Sequence, residues 1–247
     1  KQVQFEYYSE EQLNKLVFTT KQIKEDVAIL GETINYIHPA PYAFTDSSTL
    51  QLYLAQLEQE MIRQPDLISA YKAISRFTAN IKCSHTFTNP WNQGEDVKRA
   101  IFDQPDKMPF TFERIGKRLF IDKNASASQK LKRGMEILSI NGVAVDSILT
   151  QLAQYVSSDG NNYEKRLERL ALSGSEKYSM FDIYYPIVFG SYPRIDLELK
   201  DFHTGKVFHE MVQPTSKAKR TSILKERYNE LETSMEDFWG FKIINDN

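Results

Sequence analysis

The chain has 247 residues, 41% hydrophobic and 26% charged, with a formal net charge of −2. This balance suits a folded globular chain, argues against disorder, and carries no basic excess that would point to nucleic acid or an anionic membrane. No apolar run approaches the ~18 residues of a membrane span. Cys83 is the only cysteine, so no disulfide forms within the chain and the redox compartment is not readable. The chain starts at Lys1, without Met and without an apolar signal-peptide core, so a processed or partial form is expected.

In chain order, Ser9-x-x-Gln12 has the pattern of a capping box and predicts a short helix through Val17. A longer helix is predicted over Thr20–Ile37, where Ile23, Val27, Leu30, Ile34 and Ile37 recur on one face. His38-Pro39-Ala40-Pro41 ends it. A second amphipathic helix, Ser48–Arg63, carries Leu50, Tyr53, Leu54, Leu57 and Met61. After the break at Pro65-Asp66, a third helix, Leu67–Ile81, carries Leu67, Ala70, Tyr71, Ile74, Phe77 and Ile81. None of the three could bury its stripe alone, so a small bundle is expected.

Turn residues Asn89-Pro90, Asn92-Gln93-Gly94 and Gln104-Pro105-Asp106 then mark a linker. Strands are predicted at Pro109–Glu113 and Lys117–Asp122. Next come the two apolar runs of Leu131–Val145, which flank Asn141-Gly142, a strong signal for a type I′ hairpin. An amphipathic helix follows over Ser147–Ser157, with Ile148, Leu149, Leu152 and Val156 at helical spacing. Asn162–Leu172 reads as a charged helix broken by Ser173-Gly174-Ser175, and the aromatic run Tyr178–Phe189 reads as core or interface. Arg194–Lys200 alternates as a half-buried strand, turns near Thr204-Gly205 and returns over Val207–Val212. Thr215–Arg220 reads as a polar linker, followed by a helix over Ser222–Glu232 and the apolar segment Phe238–Ile244.

Leu131-Lys-Arg-Gly-Met-Glu-Ile-Leu-Ser-Ile-Asn-Gly142 resembles the core of a PDZ-like domain, in the version found in the C-terminal-processing (tail-specific) S41 serine peptidases. Pro109-Phe110, Arg118-Leu119-Phe120-Ile121, Asn124-Ala125-Ser126 and Ser158-Asp159-Gly160 agree in order. Relatives usually have Gly-Asp before the Ile, where this chain has Gly134-Met135-Glu136. The resemblance implies an α+β architecture. A helical domain (1–88) and a linker (89–107) precede a PDZ-like domain (108–214) with a helical insertion at about 160–190, and 215–247 lead into a peptidase core that the sequence does not contain. It also implies export to the periplasm or cell envelope.

Lys82-Cys83-Ser84-His85-Thr86 is the sharpest chemical candidate. Read alone, it is a histidine with Ser84 and Cys83 as neighbours, and a structural or solvated role stays open. By resemblance to the tricorn-like branch, His85 is a general base and Ser84 orients or polarises it, with Cys83 standing where Asp is common. No serine nucleophile matches, and Ser173-Gly174-Ser175 is better explained as a helix-terminating turn. Without a nucleophile and oxyanion donors there is no acyl transfer, so this chain alone is expected to be inactive. The resemblance also implies a peptide groove lined by Phe110, Thr111, Phe112, Leu149 and Leu152, although the usual glycine-rich carboxylate loop is replaced by Met108-Pro109-Phe110.

No cofactor is expected. Metal binding is set aside, because the four histidines are scattered and His203 and His209 have no Cys or HExxH spacing near them. The expected role is the non-catalytic N-terminal part of an S41-type serine endopeptidase. It would recognise and gate peptide or protein substrate, with His85 as the residue donated to a C-terminal peptidase core. The alternative is a stand-alone peptide-binding module or pseudo-peptidase.

Overall fold

The first four helices start on side-chain oxygens. Ser9 and Gln12 cap each other reciprocally, as do Thr19 and Gln22, while Asp46 and Asp66 accept from the N–H groups of Thr49 and Ser69. These caps open α1 (Glu10–Asn14), α2 (Thr20–Ile37), α3 (Ser47–Arg63) and α4 (Leu67–Asn80). The computed structural model describes residues 8–174 and 178–228, and over these the chain is α+β.

The apolar stripes of α2, α3 and α4 meet as predicted. Ile23, Val27, Ile34, Leu50, Leu54, Leu57, Met61, Ala70, Ala73, Phe77 and Ile81 form one buried cluster. Gly31 lets α3 approach, since a Cβ there would sit 3.0 Å from Leu54. Ile37, expected on the buried stripe, is the last residue of α2 and is 74% exposed. The segment after α1 does not extend the helix: Val17 bridges Asp66, and the Phe18 N–H donates to Pro65 O.

The stretch expected as a linker holds α5 (Glu95–Ile101), whose Ala100 and Ile101, with Phe102, are buried alongside Leu13. Beyond it lie β1 (Phe110–Ile115), β2 (Arg118–Asn124), β3 (Glu136–Ile140), β4 (Val143–Ala144), β5 (Ile195–Lys200) and β6 (Val207–Val212). The sheet is antiparallel in the order β1-β2-β3-β5-β6, and β4 hairpins back on β3. Asn141 and Gly142 both have positive φ (50° and 76°), as a type I′ turn requires. A two-bond bridge between Lys107 and Thr215 draws the two edges of the sheet towards each other.

The predicted helix after the hairpin is α6 (Val145–Leu152), ending in a 3₁₀ turn, Ala153–Tyr155. α7 (Tyr163–Glu168) is shorter than the charged pattern suggested, because Leu172 leaves the helix to bridge Phe112. The aromatic run becomes α8 (Met180–Phe189), with Phe181, Ile183, Tyr184 and Tyr185 in the same core as the sheet. The reading of Thr215–Arg220 as a linker is corrected. α9 (Lys217–Tyr228) begins inside it, and Arg220 is 1% exposed, bonded to Asp182 of α8 through both carboxylate oxygens and to Met108 O at 2.9 Å. The predicted Phe238–Ile244 segment lies outside the described residues.

Candidate functional site

α4 ends without a glycine. Ile81 is its C-cap, and Lys82 turns the chain in the left-handed region (φ 60°), so residues 83–86 leave the helix as a tight turn closed by Thr86 N–H to Cys83 O at 3.1 Å. The loop after the 3₁₀ turn docks on that terminus. Gly160, itself at φ +58°, donates its N–H to Lys82 O at 2.9 Å. A side chain at Gly160 would sit 3.1 Å from the Phe44 ring.

This docking brings in Asp159, 75 positions beyond Ser84. Asp159 accepts from the Ser84 N–H at 2.8 Å through Oδ1 and from the Ser84 hydroxyl at 2.9 Å through Oδ2. Ser84 Oγ also lies 3.5 Å from His85 Nδ1. A serine hydroxyl has one proton, and Asp159 takes it. The contact to His85 is therefore a hydrogen bond only when Nδ1–H donates, which leaves Nε2 as the basic nitrogen. Asp159, Ser84 and His85 thus form a relay that favours one imidazole tautomer, the task a carboxylate performs in serine hydrolases. The Ser84 hydroxyl is thus held by the carboxylate, not by the imidazole.

Two hydrogen bonds from Ser84, first from its N–H and then from its hydroxyl, hold the Asp159 carboxyl below the usual aspartate range, with a smaller contribution from His85. The loop is braced from α7. Arg166 donates to Ala79 O at 2.7 Å and to Ser158 Oγ at 3.1 Å, Arg169 donates to Ser157 O at 2.8 Å, and Ser157 Oγ donates to Thr86 O at 2.7 Å. His85 and Asp159 are exposed while Ser157 and Ser158 are buried. The reactive groups therefore stand on the surface, on a rigidly bonded base.

Cys83 joins the cluster. One donor atom each of Cys83, His85 and Asp159 lies within 4.8 Å of the others. The sequence reading missed Asp159 as a site residue. It was visible as part of Ser158-Asp159-Gly160, but its partner lies 75 positions away and nothing local marks the pairing.

The implied peptide-groove residues are placed in the core. Phe110, Thr111, Phe112, Leu149 and Leu152 are all 0% exposed. Phe112 exchanges both backbone bonds with Leu172, so the chain itself occupies the β1 edge at that position. Gly174 lies against Thr111 and Leu224, away from the His85 turn in its contacts. Among the described residues no helix is long and apolar enough to cross a membrane.

No protein-family model matches the chain, and no curated protein matches it. Among solved structures it is similar to mature CPAF (TM-score 0.44, 14% identity) and to mature CPAF complexed with lactacystin (0.46, 12%). A crystal structure of a CPAF mutant gives a TM-score of 0.49 at 14% identity. Each likeness covers 78% of this chain and 34% of the other, so the chain spans about a third of the length of those structures.

Proposed function

We propose that this chain is the N-terminal, non-catalytic portion of an S41-type serine endopeptidase, exported to the cell envelope, that handles peptide or protein substrate and lends His85 to the active site as general base. The observation that carries the reading is the Asp159–Ser84–His85 relay at the end of α4. A histidine that merely meets solvent has no need of a partner whose single proton is already committed to a buttressed carboxylate. The Leu131–Gly142 motif, with its Asn-Gly hairpin, supports the same reading.

In this mechanism a serine of the C-terminal peptidase core expected in the parent protein attacks the scissile carbonyl. His85 Nε2 takes its proton and then returns it to the leaving amine. Ser84 and Asp159 position the ring, holding Nδ1 protonated and stabilising the imidazolium as it forms. Substrate gating falls to the segments that cover β1, Leu172 foremost, because the side chains around the expected groove are packed in the core.

The test is to isolate the endogenous protein, take its intact mass and assay peptide hydrolysis with and without a serine-directed phosphonate. A mass exceeding that of this chain by a domain of about 100–200 residues, with phosphonate-sensitive hydrolysis, is expected. A protein of this chain's own mass with no hydrolysis would overturn the peptidase reading.

A further inference from the structure

We infer that Cys83, His85 and Asp159 form a binding site for a zinc-class divalent cation. The sequence alone offers a C-x-H pair and no third ligand. The fold supplies one by hydrogen-bonding Asp159 to the Ser84 N–H and hydroxyl, between the other two ligands in sequence. The donor set of sulfur, imidazole nitrogen and carboxylate oxygen is the mixture Zn²⁺ takes, whereas Mg²⁺ and Ca²⁺ call for oxygen alone.

Zinc–ligand distances of about 2.0–2.3 Å in a tetrahedron place donors roughly 3.3–3.8 Å apart. The three donor atoms here already lie within 4.8 Å of one another. Two of the three residues are exposed, so small side-chain rotations close the gap without moving the backbone, which the bonds from Arg166, Arg169, Ser157 and Gly160 fix. Three protein ligands on an exposed surface leave the fourth position to water. Ser84 becomes the outer partner that orients the ligating carboxylate. On binding, the Cys83 thiol gives its proton to the buffer and the sulfur coordinates as thiolate.

Metal capture at this cluster is independent of the peptidase reading. Its consequence rests on that reading: a cation on His85 occupies the imidazole that general-base catalysis needs, so Zn²⁺ would hold the parent enzyme latent and a chelator would release it.

The test uses metal alone and no substrate. Zn²⁺ is titrated calorimetrically into the reduced chain in two buffers of different ionisation enthalpy. Co²⁺ is then added and read for a thiolate-to-cobalt charge-transfer band. One equivalent of Zn²⁺, proton release and the cobalt band are expected. Cys83→Ser should abolish the band, His85→Gln and Asp159→Asn should each weaken Zn²⁺ at least about tenfold, and Ser84→Ala should weaken it about tenfold through the outer shell. The exposed His85 position keeps the test valid even where Cys83→Ser perturbs folding. Absence of saturable binding, or binding that any of the three ligand substitutions leaves unchanged, overturns the site. Saturable Zn²⁺ binding that leaves hydrolysis by the parent unchanged would overturn the latency consequence alone, and metal binding with no hydrolysis even after chelation would overturn the peptidase reading alone.

Discussion

Replacing Arg220 with Met tests how α9 is held to the rest of the molecule. The Arg220 and Asp182 side chains are 1% and 6% exposed. The guanidinium meets both carboxylate oxygens and Met108 O, just before β1. Arg220→Met keeps an apolar stem of similar length but strands a buried carboxylate and a carbonyl. Removing one partner of a buried pair costs about 3–5 kcal/mol, because the remaining charge has lost its compensation. At roughly 2–4 °C per kcal/mol for a chain of this size, the melting midpoint should fall by about 6–20 °C. The double variant Arg220→Met/Asp182→Leu removes the stranded charge and should recover most of that loss. Urea and thermal unfolding of the wild type, the single variant and the double variant provide the assay. A single variant within about 1 kcal/mol of wild type, or a double variant no better than the single, would refute the buried-pair argument.

Four further outcomes follow from the site. Asp159 is held below its ordinary pKa, so its contribution to loop anchoring is complete above the unfolded value of about 3.9 and is lost as pH falls through the lower folded value. Ser84→Ala removes the hydroxyl but keeps the N–H bond, so the Asp159 pKa should rise part of the way back, as read from its carboxyl carbon by NMR titration. Gly160→Ala forces a left-handed backbone on a residue with a Cβ 3.1 Å from Phe44, and should cost at least about 1–2 kcal/mol in urea unfolding. His85→Ala, at an exposed position, should change stability by less than about 0.5 kcal/mol, which separates its effect on chemistry from any effect on folding.

The amphipathic helices and the hairpin were legible because their signals are local. Thr20–Ile37 is read to the residue, Asn141-Gly142 adopts the predicted turn, and Val207–Val212 forms the predicted strand. α9 was misread because Lys217, Lys219 and Arg220 look like solvated linker, and only the fold reveals that Asp182 waits for one of them. α5 was hidden by the turn residues that flank it. The groove side chains were named from a resemblance that says which residues lie near a sheet edge. It does not say that Leu172 returns to pair there. At the site, Ser84 and His85 were legible as neighbours, whereas Asp159 and the role of Cys83 depend on a loop docking 75 positions away.

The central claim is that His85 is a general base held by Ser84 and Asp159. The most direct measurement is the turnover of peptide substrate by the endogenous full-length protein carrying His85→Ala, at matched folding stability. A fall of about 10²–10⁴-fold, with a smaller fall for Ser84→Ala, is the predicted result. Unchanged turnover in His85→Ala would contradict the account and leave the relay as a structural clasp between α4 and the Asp159 loop.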